Sequence, residues 1–197
     1  MISDGQFGFR NKRSCVLQLL TWLEEWTKAY DDSCQTDVIY LDIKKAFDSI
    51  PHNRLLLKLQ KCGFEGNILN WVKDFLQHRR QRVCIEDVLS AWQPISSGVP
   101  QGSVLGPILF IIYMNNLPNG IQSMCRIFAD DTEAFSRITS RQNQEYLQED
   151  LLKICDWSQE WLLEFSVPKC KTMHVGNTSI QYCTELVLWT HNGSTHT

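Results

Sequence analysis

Met124-Cys125-Arg126-Ile127-Phe128-Ala129-Asp130-Asp131-Thr132-Glu133-Ala134-Phe135-Ser136 reads as two short strands, Met124 to Phe128 and Thr132 to Ser136, on either side of a tight turn at Ala129-Asp130-Asp131. Toward the N-terminus, Thr36 to Ile43 alternates like a third strand, with Ile39, Leu41 and Ile43 on one face and Val38, Tyr40 and Asp42 on the other. Helical spacing surrounds these strands. Val16, Leu19, Leu20, Leu23, Trp26 and Tyr30 follow a Ser14 cap, and Pro51 opens a helix through Leu55, Leu56 and Leu59 that Gly63 ends. Ile68, Leu69, Val72, Phe75 and Leu76 make a further helix, and an apolar one runs from about Val104 to Tyr113. A long amphipathic helix carries Leu147, Leu151, Ile154, Trp157 and Trp161, and a last strand lies near Thr172 to Val175. Strands alternating with helices, plus one antiparallel hairpin, predict an α+β fold in which a mixed sheet packs on helices.

The 197 residues are 43% hydrophobic and 21% charged, enough for one well-cored domain and unlike a disordered chain. The net charge of -3 argues against a uniformly basic nucleic-acid binder, so any electropositive surface has to be local. Eight cysteines are scattered singly, without C-x-x-C spacing, which fits reduced thiols in an intracellular protein better than a zinc site or a disulfide scaffold. The start of the chain has no signal-peptide pattern, and the longest apolar run, Val104 to Met114, is too short to span a bilayer. Beyond Gly176 the pattern dissolves into Thr, His and Asn.

Two acidic features invite chemistry. Asp42 sits in an otherwise apolar strand, where a carboxylate must lie in a cleft, be paired or hold a metal. Asp130-Asp131 occupies a turn between apolar strands. Side by side, these three groups would repel and raise at least one pKa, and divalent cations relieve that repulsion. Two ions bridged by carboxylates are the usual device for phosphoryl transfer, and Mg²⁺ suits oxygen ligands. Plainer readings stand beside these: a solvated turn for Asp130-Asp131, and an Arg or Lys partner for Asp42.

Ser97-Gly98-Val99-Pro100-Gln101-Gly102-Ser103-Val104-Leu105-Gly106-Pro107 alone is a loop feeding a helix. Taken in order between Tyr40-Leu41-Asp42-Ile43-Lys44-Lys45-Ala46-Phe47-Asp48 and Phe128-Ala129-Asp130-Asp131, it resembles the reverse transcriptases of non-LTR (LINE-type) retrotransposons. Gln6-Phe7-Gly8-Phe9-Arg10, and Trp161 through Gly176, extend the resemblance over about residues 6 to 176.

The resemblance implies a palm-type sheet with partial fingers and no thumb, truncated at both ends, over residues 1–176. The stretch 177–197 is then a divergent, poorly ordered tail. It implies an RNA-directed DNA polymerase that adds dNTPs to a DNA primer 3′-hydroxyl on an RNA template, using two Mg²⁺ ions or Mn²⁺, with weak or no activity expected from this stretch alone because the triphosphate grip and the thumb are absent. Asp42, Asp130 and Asp131 are the implied catalytic carboxylates, and Asp42, Ile43 and Asp130 the implied metal-binding positions. Phe47 falls where the family places an aromatic gate against the ribose 2′-hydroxyl, although a core Phe fits equally. Gly98, Gln101 and Gly102 are expected at the nucleotide. Arg10, Arg13, Arg79, Arg80 and Arg82 are expected on template or primer phosphates, or else on a solvated basic face. Ser166 departs from the family's usual Asn, and Glu86-Asp87 from its Gly-containing turn. A non-catalytic remnant acting as an RNA-binding or interaction module is the competing function. A nucleotidyl cyclase, a third possibility, does not explain the Gly-Val-Pro-Gln-Gly loop.

Overall fold

Ser14 caps α1 (Cys15–Asp31) as the sequence predicts, its hydroxyl accepting from the Leu17 amide at 3.1 Å. In the computed structural model, which describes residues 2–176 and the backbone of two short strands beyond them, α1 leads into β1 (Gln35–Leu41). Three helices follow: α2 (Ala46–Ser49), α3 (His52–Lys61) and α4 (Gly66–Leu76). A hairpin is built from β2 (Arg80–Gln81), β3 (Cys84–Ile85), β4 (Val88–Leu89) and β5 (Gln93–Pro94). Next come α5 (Leu105–Met114), β6 (Met124–Phe128), β7 (Asp131–Ile138), α6 (Arg141–Trp161), a 3-10 turn at Val167–Lys169 and β8 (Lys171–Val175). Of the expected tail, only β9 (Leu188–Trp189) and β10 (Thr195–His196), an antiparallel pair, are described. The rest of 177–197 lies outside the described residues.

The chain divides into two units, Met1–Lys44 with Met114–Thr197, and the inserted Lys45–Tyr113. The first unit holds the main sheet, in the order β6-β7-β1-β8, antiparallel at every pairing. Val38 and Ile39, neighbours pointing to opposite faces, are both fully buried, so β1 is covered on both sides. Trp22 of α1 packs on Val38 and Phe135, its ring centroid 4.0 Å from that of Phe135. This reverses one expectation. Val16, Leu19, Leu20, Leu23 and Tyr30 are exposed, while Gln18, Trp22 and Ala29 form the buried stripe of α1. Spacing reveals that a helix is amphipathic, but the sheet decides which stripe it takes up. In α6 the expected residues are the buried ones: Leu147, Leu151, Ile154, Trp157 and Trp161.

Two charged groups inside this unit are matched. Asp37, fully buried in β1, is hydrogen-bonded to Gln35 Nε2 at 2.5 Å and to His174 Nδ1, opposite it on β8, at 2.7 Å. Burial alone would raise the Asp150 carboxyl. Hydrogen bonds from Lys153 and from the Ser123 and Gln122 amides instead hold it below the usual range.

In the inserted unit the Lys58 ammonium is buried and donates to the Tyr113 carbonyl at 2.5 Å, satisfying an acceptor at the end of α5. Of the apolar residues predicted to pack α4, only Val72 and Leu76 are buried, and Ile68 is exposed. The β3–β4 turn places Glu86 and Asp87 at φ 45° and 66°. Two left-handed residues are what a two-residue hairpin needs, so the turn forms without the expected glycine.

Candidate active site

β1 delivers Asp42 one residue past its last paired position, Leu41 opposite Thr132. The main chain is held there from the other side, with the Ser166 amide donating to the Asp42 carbonyl and the Lys44 amide to the Glu164 carbonyl, both at 2.8 Å. Phe128 pairs with Asp131 across the β6–β7 turn, where Ala129 takes a φ of 59°. Antiparallel register therefore brings Asp42 and Asp131 out at adjoining strand ends, where they line a cleft of about 260 Å³ with Tyr40, Glu133 and Lys169.

The charges in this cleft feel one another. Burial raises the Asp130 carboxyl, the negative charges of Asp131 and Asp42 raise it further, and Lys169 pulls it back. Asp131 is raised by burial and by Asp42, again against Lys169. Glu133 is raised chiefly by burial, although Gln18 Nε2 donates to it at 3.1 Å. Asp42 is answered by Lys169, whose Nζ lies 3.3 Å from Oδ1 and donates to Oδ2 at 3.4 Å. Oδ1 itself is buried and receives no hydrogen bond. The sequence assigns no role to Glu133 or Lys169. Glu133 reads there as one residue of a strand, and Lys169 lies far along the chain.

The turn that presents Asp130 is clasped by Gln6, which is 2% exposed. Its Oε1 accepts from the Ala129 amide at 3.0 Å and the Gly8 amide at 2.8 Å, and its Nε2 donates to the Ala129 carbonyl at 3.4 Å. Gly8 permits the approach, since a Cβ there would sit 2.5 Å from the Ala129 nitrogen.

In the inserted unit, the Ser97–Gln101 loop is tied to the Phe47–Ile50 segment. The Gly98 amide donates to the Ile50 carbonyl, the Val99 amide to the Phe47 carbonyl, and Gln101 Nε2 to Asp48 Oδ1, each at 2.8 Å. Gly98, at φ 84°, allows this because a Cβ would lie 2.7 Å from Asp48 Cα. Gly102, at φ 76°, faces open space. Phe47 stacks on Phe110 with centroids 4.1 Å apart, and still lines a cleft of about 250 Å³ with Gln101 and Gly102. Three of the four expected nucleotide residues thus share one cleft. Gly98 lines a different one of about 830 Å³, with Gln101, Arg79 and Arg80.

The expected phosphate-binding arginines divide. Arg10 donates to the Ser3 carbonyl at 2.5 Å, and Arg13 lies over the Phe7 ring at 4.7 Å. Both stand within 3.7 Å of Asp4, so these two brace their own segment. Arg80 and Arg82 are exposed on the β2–β5 hairpin, with Arg79 partly exposed at its base.

An antiparallel sheet covered by helices, with carboxylates at adjoining strand ends, is the polymerase type of architecture. Residues 1–189 match the family "Reverse transcriptase (RNA-dependent DNA polymerase)". The probable RNA-directed DNA polymerase from transposon BS of Drosophila melanogaster is 29% identical over 178 residues, covering 86% of this chain and 20% of the relative. The probable RNA-directed DNA polymerase from transposon X-element of the same organism is 32% identical over 168 residues, covering 80% and 18%. Among solved structures, telomerase from Candida albicans in complex with the TWJ fragment of telomeric RNA superposes with a TM-score of 0.65 at 11% identity, covering 92% of this chain and 34% of that one. The chain belongs to the reverse transcriptase family and is similar over most of its length to RNA-directed DNA polymerases of non-LTR retrotransposons. It spans about a fifth of the length of those relatives.

Reverse transcriptases normally work with divalent metal ions. The donor chemistry here fits them: hard carboxylate oxygens, one of them buried without a hydrogen bond, with the charges of Asp42 and Asp131 raising the Asp130 carboxyl and that of Asp42 raising Asp131. Closure of that set is another matter. Among the described residues no group of three or more His, Cys, Asp or Glu side chains is arranged to hold an ion, and Asp42 is engaged by Lys169. The Ile43 side chain is hydrocarbon and buried, so any ligand from this residue would have to be its main-chain carbonyl.

Proposed function

We propose that this chain is the catalytic segment of an intracellular RNA-directed DNA polymerase, transferring dNTPs to a DNA primer 3′-hydroxyl on an RNA template. The reading rests above all on one observation: Asp42 and the hairpin pair Asp130-Asp131 occupy adjoining strand ends, and the hairpin carboxyls respond to Asp42's charge. Asp42, Asp130 and the Ile43 carbonyl would hold two Mg²⁺ ions, with Mn²⁺ a substitute and Asp131 in support. Such ions, when bound, activate the attacking hydroxyl and neutralise the departing pyrophosphate. Phe47, flat and held by Phe110, would exclude a ribose 2′-hydroxyl, with Gln101 and Gly102 beside it in the same cleft. Lys169 would move off Asp42 when a cation takes its place.

Primer extension on an RNA template with Mg²⁺ or Mn²⁺, beside Asp130→Asn, tests this. Each ion supplies several kcal/mol of charge stabilisation, so Asn is expected to lower the rate by about a hundred- to ten-thousand-fold. Equal extension by both proteins would remove the catalytic reading. A second reading, a non-catalytic RNA-binding module, draws on the Lys169–Asp42 ion pair, which partners the first carboxylate without metal. It predicts RNA binding that is indifferent to divalent ions and to Asp130→Asn.

A further inference from the structure

Every residue from Arg80 to Pro94 is exposed, so the hairpin stands out from its unit with no element packed over it. At its middle, Trp92 lies between the two short ladders, opposite Arg82. The Arg82 guanidinium is 4.5 Å from the indole centroid and that of Arg80 is 6.0 Å away, while the residue remains 48% exposed. An exposed cation–π contact is worth only about 0.5–1 kcal/mol, too little to account for leaving so large an apolar ring in water. What the arrangement leaves open is a flat aromatic surface edged by positive charge. The charge continues, because Arg80 also lines the cleft of about 830 Å³ with Arg79, Lys45, Ser97 and Gln101.

A positive groove leading to an exposed ring is how single-stranded nucleic acid is held, with the groove following the phosphates and the ring taking a base face. Bases inside a duplex are already stacked and offer no free face. The exposed apolar side chains Ile85 and Val88 flank the turn at the far end of the hairpin, whereas the arginines cluster around Trp92. We propose that Trp92, framed by Arg80 and Arg82, is a stacking platform for an unpaired base of single-stranded RNA whose backbone runs through the Arg79–Arg80 cleft. The proposal rests on the reading of this chain as a handler of RNA, but it concerns binding alone and needs neither metal nor dNTP.

The test is fluorescence anisotropy of the full chain, in EDTA, with a labelled unstructured RNA oligonucleotide, the same strand as a blunt duplex, and a copy carrying abasic sites. Trp92→Ala is expected to weaken single-strand binding by about 5- to 150-fold, the range typical of one stacked base, with Trp92→Phe keeping most of it. Arg82→Ala should flatten the salt dependence by about 0.7 in log–log slope for each phosphate that the guanidinium neutralises, whereas Trp92→Ala should leave the slope unchanged. The wild type should lose affinity for the abasic strand, and the duplex should not distinguish Trp92→Ala from wild type. The assay, run in EDTA without dNTP, reads binding and no catalysis, so failure of the polymerase reading would not register here. Undiminished single-strand binding by Trp92→Ala overturns the platform, as does an equal loss on strand and duplex. Wild-type protein that binds abasic and intact strands alike overturns it without any mutant. If the hairpin docks a protein instead, all RNA arms stay flat, and the platform is overturned in that case too.

Discussion

Asp130 sits where its charge is unwelcome, half-buried and near two other carboxylates, and its folded pKa lies above the unfolded value. A carboxyl raised in this way binds more protons folded than unfolded, so stability falls as pH rises from the unfolded to the folded pKa and stays lower above it. Asp130→Asn should therefore melt higher than wild type at neutral pH, with the gain disappearing as pH drops below the ordinary carboxylate range. Thermal melts of both proteins across pH 3 to 8 read this directly, and a gain that persisted at pH 3 would mean a packing effect instead. On the proposed reading, Lys169 would compete with a cation for Asp42. Replacing it by Gln should tighten Mn²⁺ binding about two- to fivefold, the modest worth of a largely exposed ion pair, as measured by titration calorimetry. Weaker binding in Lys169→Gln would make the ammonium part of the site and not a rival to the ion.

At the scale of elements, the β6–β7 turn depends on a side chain more than a hundred positions away. Gln6→Ala would leave the buried Ala129 and Gly8 amides without acceptors, at a cost of about 2–4 kcal/mol. Hydrogen exchange should show the loss first at Ala129 and its neighbours, and protection there equal to wild type would refute the clasp. That dependence also marks the limit of what the sequence could tell. The strands were legible because their alternation is local, and the Asp-Asp turn because apolar runs bracket it. α6 was legible too, since its stripe and its burial coincide. The buried stripe of α1 was not, because Trp22 and Gln18 face inward only once Phe135 and Glu133 have been brought to them. Glu133, Lys169 and Asp48 are hidden for the same reason. Their positions by the carboxylates or the Ser97–Gln101 loop follow from register and turns, which composition does not disclose. Trp92 reads in the sequence as apolar area, although its placement opposite Arg82 is what gives it chemistry.

For the molecule as a whole, the thiols make a map of what is covered. Burial pushes the Cys125 thiol up to about 12 and raises Cys170, whereas Cys15, Cys62 and Cys84 are exposed. Alkylation of the native chain near pH 8, followed by peptide mass spectrometry, should, among the cysteines of the described residues, label those three first and reach Cys125, Cys155 and Cys170 only on unfolding. Early label at Cys125 would contradict the packing of β6. The order of strands carries a last consequence, for how such a chain emerges from the ribosome. β1 is translated before its partners β7 and β8, which follow only after the entire Lys45–Tyr113 insert. Until then Val38, Ile39 and Leu41 sit on a nascent apolar segment with both edges bare, an adhesive tract for chaperones or for a neighbouring copy. Expression products that stop short of β7 should accordingly collect in inclusion bodies, whereas those reaching β8 can close the sheet and stay in solution.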